Sequence, residues 1–110
     1  MVEQFYQYSD PDRITGAVDA LSALTEHDRP FTRLVFSDEY KAARAWLQLQ
    51  FEEIGLECRT DAGGNLIGTR KAASIGEPPR KVIIGSHIDT VAAGGRFDGI
   101  AGVIAGLETV

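Results

Sequence analysis

The sequence predicts a small α/β fold, and three observations carry that reading. Two stretches show helical periodicity, two short β-like runs flank a glycine pair, and an apolar run leads into a glycine-rich helical pattern. Two helices, a hairpin, a buried strand and a closing helix are expected to form one α/β layer. With 110 residues the chain suits one domain and is too short for two independent cores.

Asp10-Pro11-Asp12 opens the first helix, because an aspartate can cap the free amides and proline lacks the N–H that would be left over. Ile14, Val18, Leu21 and Leu24 then share one stripe, so a helix over residues 11–26 is predicted, with core packing as its purpose. His27-Asp28-Arg29-Pro30 ends it, since the residue before a proline is pushed out of the helical region. His27 is expected to be an exposed surface residue.

Ser37 begins a second helix, with Asp38 and Glu39 in the turn where the helix dipole favours negative charge. Ala43, Leu47, Phe51 and Ile54 repeat at helical spacing beside Trp46. Gly55 is placed for a left-handed cap, and Leu56 for the apolar contact that accompanies one. Leu56–Thr60 and Asn65–Arg70, joined through Asp61-Ala62-Gly63-Gly64, predict an antiparallel hairpin. The polar run Lys71–Pro79 reads as a surface loop, too short to link domains.

Lys81–Gly85 (KVIIG) is predicted as a buried strand from its β-branched content and shortness. Beyond it, Gly99, Gly102 and Gly106 recur near one helical face, while Ile100, Val103, Ile104 and Leu107 supply bulk. Each glycine costs about 1 kcal/mol relative to alanine within a helix, so this backbone is expected to lie close against the sheet. Val110 lacks a glycine, proline or basic cap, which implies that the chain ends within an element.

Composition narrows the function. Hydrophobic residues make up 44% and charged residues 25%, as in ordinary globular chains. Eleven Lys and Arg against 16 Asp and Glu leave a net charge of −5, which argues against nucleic-acid binding through phosphate attraction. The single cysteine, Cys58, excludes an intrachain disulfide. No apolar run is long enough to cross a membrane, and the first ten residues lack the character of a signal peptide, so a cytoplasmic location is the expectation.

Chemistry concentrates in GSHIDTVAAGGRFDG, residues 85–99, between the expected strand and helix, where open α/β sheets place their sites. His87 and Asp89 are two apart in an extended segment and so face the same side. A neutral imidazole ligates zinc well, and a neighbouring carboxylate can hold its other N–H. Glycines at 94, 95 and 99 would let the loop return Asp98 toward His87. Residue types alone leave a simpler reading open: a local His–Asp pair, with Asp98 an ordinary helix cap. Only two candidate ligands are present, whereas catalytic zinc usually retains three.

The whole string resembles the amidase/hydantoinase/carbamoylase branch of the dinuclear zinc exopeptidases, whose pattern reads G-S-H-x-D-T-V-x-x-G-G-x-F-D-G. Thr32-Arg33-Leu34 with Phe36-Ser37, Ala43-Arg44, Gly55-Leu56 and Asp61–Leu66 resemble the upstream segments of the same family. That branch includes N-carbamoyl-L-amino-acid hydrolases, β-ureidopropionases and allantoate amidohydrolases.

The resemblance implies the N-terminal portion of a three-layer αβα metallohydrolase catalytic domain over residues 1–110. The lid and dimerisation domain and the C-terminal half of the catalytic domain would lie outside it. It implies two divalent ions (zinc, manganese or cobalt) in the complete enzyme, with His87 as a terminal ligand and Asp98 bridging both. Asp89 would act in catalysis by holding the His87 ring, and a cis peptide between Asp98 and Gly99 would aim the bridge. The substrate would be a small carbamoyl or ureido compound, and the complete enzyme a homodimer.

The family's Glu-Glu pair and its later histidines are not found: Glu108 precedes the expected position, and no histidine follows His87. The chain alone is therefore expected to be inactive. Arg33, Asn65 and Arg96 match polar positions of the pattern and read as hydrogen-bonded loop or turn residues. The alternatives are an inert domain that keeps the fold, or another amidase or peptidase of the superfamily. A nucleotide-binding module is disfavoured, because residues 94–99 are not G-x-G-x-x-G and Asp98 would repel phosphate.

Overall fold

A computed structural model describes residues 8–71, 73 and 80–110, which form three helices and a two-stranded antiparallel sheet. Most of the expected loop 71–79 lies outside the described residues. Helix α1 spans Pro11–Ala23, and the Asp10 carboxylate accepts from the amides of Asp12 and Arg13 at 3.0 and 3.1 Å. It ends about a turn earlier than the periodicity predicts. Thr25 and Glu26 spend their polar groups on Thr32 instead: the Thr32 amide donates to Thr25 Oγ1 at 2.8 Å, and the Glu26 amide to the Thr32 carbonyl at 2.9 Å.

Helix α2 spans Asp38–Glu53, capped by Ser37 Oγ accepting from the Tyr40 amide at 3.1 Å. Its end follows expectation. Gly55 takes φ +79°, its amide donates to the Glu52 carbonyl, and the Leu56 amide reaches back to the Phe51 carbonyl at 2.9 Å. This is the Schellman arrangement, with Leu56 brought under the helix beside Phe51.

Strands β1 (Glu57–Thr60) and β2 (Leu66–Thr69) pair with Glu57 opposite Thr69 and Thr60 opposite Leu66. Asp61 builds the turn, its carboxylate accepting from the amides of Gly63 and Asn65 and from the Asn65 side chain, each at 2.9 Å. Those bonds, the Asn65 side chain first, hold the Asp61 carboxyl below its usual range. At this turn Asn65 is a structural residue.

Helix α3, Ile100–Thr109, lies against α1. Val18, Leu21, Ala43, Leu47, Ile100 and Ile104 form the core between the helices, with Phe51 and Leu66 joining it from α2 and the hairpin. Glu108 ties the two ends together. It accepts from Arg13 Nε and from the Asp10 amide, each at 2.8 Å, and the Arg13 guanidinium keeps its carboxyl below the ordinary range.

The expected buried strand Lys81–Gly85 does not form. Residues 80–91 carry no regular structure, and Val82 and Ile83 are 87% and 89% exposed. A strand needs a ladder partner, and among the described residues β1 and β2 satisfy each other. What the glycine pattern foretold does hold, against this segment rather than a sheet. A Cβ on Gly102 would lie 2.7 Å from Ser86 Oγ, and one on Gly106 3.1 Å from Ile84 Cγ2. Among the described residues, no helix is long and apolar enough to cross a membrane.

Candidate metal centre

The site is built by crossing the 84–90 segment over the start of α3. Gly99 permits the closest approach, with φ +68° and no room for a side chain: a Cβ there would sit 2.3 Å from the His87 carbonyl oxygen. The loop between them turns through positive φ at Ala93 (51°) and Gly95 (92°). Arg96 anchors it by an ion pair to Asp19 of α1, with its guanidinium 5.8 Å from the Phe97 ring centroid. Arg96 therefore serves the loop.

This crossing brings His87, Asp89 and Asp98 together. His87 Nδ1 lies 2.9 Å from the Asp89 carbonyl oxygen and 3.5 Å from the Asp89 carboxylate. A carbonyl only accepts, so Nδ1 carries the proton, and in the neutral ring the lone pair is on Nε2. That nitrogen faces Asp98 Oδ2 at 4.0 Å. The ring is thus held mainly by the backbone of Asp89, and less directly by its carboxylate.

Asp98 is not the ordinary helix cap that residue types left open. Gly99 is the cap residue, and among the described residues no side chain accepts from the first amides of α3. A carboxylate placed at a helix start without capping it is available to another partner. The peptide bond to Gly99 is trans, as are all those among the described residues. Asp98 stands on the exposed loop, without the enclosing packing that would sustain a cis bond costing about 3–4 kcal/mol. His27 is exposed, as expected, and pairs with Asp28.

Two residues matter more here than their types suggest. Arg33 and Thr90 are buried, at 2% and 5% exposure, and hold each other: Thr90 N–H donates to the Arg33 carbonyl, and Arg33 N–H to the Thr90 side-chain oxygen Oγ1, each at 2.8 Å. Thr90 Oγ1 donates to the Phe31 carbonyl, and Thr32 Oγ1 accepts from the Ala93 amide. Segment 31–33 is thereby fastened along 90–93. In the sequence Arg33 reads only as a hydrogen-bonded loop residue, and nothing local pairs it with Thr90.

As a metal site the donor set fits in part. One imidazole nitrogen and one carboxylate face each other, with no hydrogen bond on that side among the described residues. Among the described residues no group of three His, Cys, Asp or Glu converges, so a cation held here would need further ligands.

No family profile matches the chain. It is 37% identical over 102 residues to an N-carbamoyl-L-amino-acid amidohydrolase of Paenarthrobacter aurescens, a match covering 93% of this chain and 24% of that protein. It is 36% identical over 80 residues to an allantoate amidohydrolase of Bacillus subtilis, covering 73% of this chain and 19% of the relative. Its fold superposes on a hydantoinase/carbamoylase family amidase from Burkholderia ambifaria with a TM-score of 0.80 and 34% identity, over 91% of this chain and 24% of that one. The chain therefore spans about a quarter of the length of such relatives. On sequence and fold together, it is homologous to one segment of the hydantoinase/carbamoylase family of amidases.

Proposed function

We propose that this chain forms part of the metal-binding catalytic domain of an amidohydrolase that cleaves non-peptide C–N bonds in linear amides. Its substrates would be N-carbamoyl amino acids, ureidopropionate or allantoate. The relatives' names support this reading, and one observation in the structure carries it. His87 keeps its proton on Nδ1, against the Asp89 carbonyl, and turns the Nε2 lone pair toward a carboxylate that caps nothing. That is how a ligating histidine is prepared, with its second nitrogen engaged so that the first stays basic.

His87 and Asp98 would hold divalent metal (zinc, manganese or cobalt), with Asp98 shared between two ions and Asp89 keeping the imidazole in register. When bound, the metal supplies an acidic water and polarises the carbonyl of the scissile amide. The chain's own contribution is to keep the imidazole in one tautomer and to present the carboxylate beside it. The general base and the remaining ligands are not among its residues. The working enzyme is read as a cytoplasmic homodimer acting on a small molecule.

Calorimetric titration of the 110-residue chain with zinc tests this reading. Weak binding is expected, lost in both His87→Ala and Asp98→Ala, with no hydrolysis of an N-carbamoyl amino acid by the chain alone. Metal binding unchanged by His87→Ala would overturn the assignment. So would turnover that persists in that variant.

A further inference from the structure

The Arg33 guanidinium is a buried charge that the metal-site reading does not use. Burying an ion costs several kcal/mol unless its hydrogen bonds are met, so its partners show what it is for. Nε donates to the Ile88 carbonyl at 2.7 Å. Nη1 donates to the carbonyls of Leu21 and Leu24, at 2.8 and 2.7 Å, which closes the open end of α1. Nη2 is buried and has no hydrogen-bond partner among the described residues. Burial lowers the guanidinium's pKa, and the charge of Asp89 acts against that lowering.

These bonds bracket one atom of the site. The Ile88 carbonyl, held by Nε, fixes the peptide plane that enters Asp89. The Thr90 amide, held by the Arg33 carbonyl, fixes the plane that leaves it, and that plane contains the Asp89 carbonyl oxygen. This oxygen is the acceptor for His87 Nδ1.

We propose that Arg33 is a positioning residue for the metal-binding histidine. It clamps both sides of Asp89, through its side chain on the Ile88 carbonyl and its own carbonyl on the Thr90 amide, so that the Asp89 carbonyl stays on His87 Nδ1–H and the Nε2 lone pair is kept toward Asp98. The inference deepens the metal-site reading and rests on it for its purpose, while the tautomer it concerns exists without metal. Lysine retains the charge, but a single ammonium cannot reach three carbonyls from one planar fork.

The test is 15N NMR of the His87 ring in the metal-free chain, at one alkaline pH, for wild type and Arg33→Lys. Wild type is expected to show a pyridine-like Nε2 and a protonated Nδ1. The variant, with helix and hairpin signals intact, is expected to lose that majority and move toward the mixture of a free imidazole. A folded variant with an unchanged tautomer would overturn the clamp.

Should Arg33→Lys not fold, the arginine side-chain signals of wild type decide. The Arg33 Nε–H is expected to be protected from solvent exchange by its bond to the Ile88 carbonyl, and an Nε–H that exchanges as fast as an exposed arginine's would overturn the clamp. Zinc added to wild type separates the two readings. An Arg33-dependent tautomer whose Nε2 ignores zinc would refute the metal centre and leave the clamp standing.

Discussion

Gly99→Ala probes the contact on which the candidate site is built. Two costs add at this position. The residue holds φ +68°, and an L-residue placed in the left-handed region loses about 1–2 kcal/mol. The new Cβ would also lie 2.3 Å from the His87 carbonyl oxygen, 2.6 Å from Cε1 and 2.7 Å from Nδ1. The first of these is backbone, which cannot swing aside as a side chain can. Relieving such an overlap by shifting main chain costs about 1–3 kcal/mol, so the total is about 2–5 kcal/mol. That is a large part of the 5–15 kcal/mol that holds a typical domain together, roughly speaking.

Gly95→Ala is the control. It has φ +92° but nothing within 4 Å of an added Cβ, so about 1–2 kcal/mol of backbone strain is all it should lose. Urea unfolding of both variants measures the difference at matched slopes. The His87 ring signals should move in Gly99→Ala and stay fixed in Gly95→Ala. Equal losses of stability with an unmoved imidazole would refute the idea that close approach to His87 is why residue 99 must be glycine.

Acid stability should depend on Glu108. Its carboxyl is held below the ordinary 4.5 by Arg13, so its contribution is complete above that value and is lost as pH falls through the lowered one. Glu108→Gln should therefore weaken the chain at neutral pH and flatten its acid unfolding curve, with Asp61, also lowered, supplying the slope that remains. At the hairpin, Gly68→Ala places a Cβ 2.7 Å from Phe51 Cδ2 and 2.8 Å from Leu56 Cδ1. A loss of about 1–3 kcal/mol in urea is expected, and a neutral result would mean that the Schellman contact has slack.

Short-range features were legible from residues alone, because the groups that create them are neighbours in the chain. Asp10 and Ser37 cap the helices they precede, Gly55 and Leu56 close α2 as their types require, and Asp61 with Asn65 shapes the turn between paired strands. The His-x-Asp spacing likewise set two functional groups on one side, since an extended backbone repeats every two residues.

Tertiary structure decided the rest. Residues 82–85 have strand-forming side chains, yet a strand is a relation between two segments, and none of the described residues pairs with them. The glycines at 99, 102 and 106 announced a close approach, expected against the sheet, and its partners are instead His87, Ser86 and Ile84. Asp98 reads as a cap by position, and only the path of the loop takes that role from it and points its carboxylate toward His87. Arg33 reads from the sequence as a hydrogen-bonded loop residue, and the structure supplies its partners. Its guanidinium reaches the Ile88 carbonyl and its backbone amide reaches Thr90 Oγ1, both more than fifty residues along the chain. No local pattern encodes such contacts, because only the packed chain brings those groups within reach of one arginine.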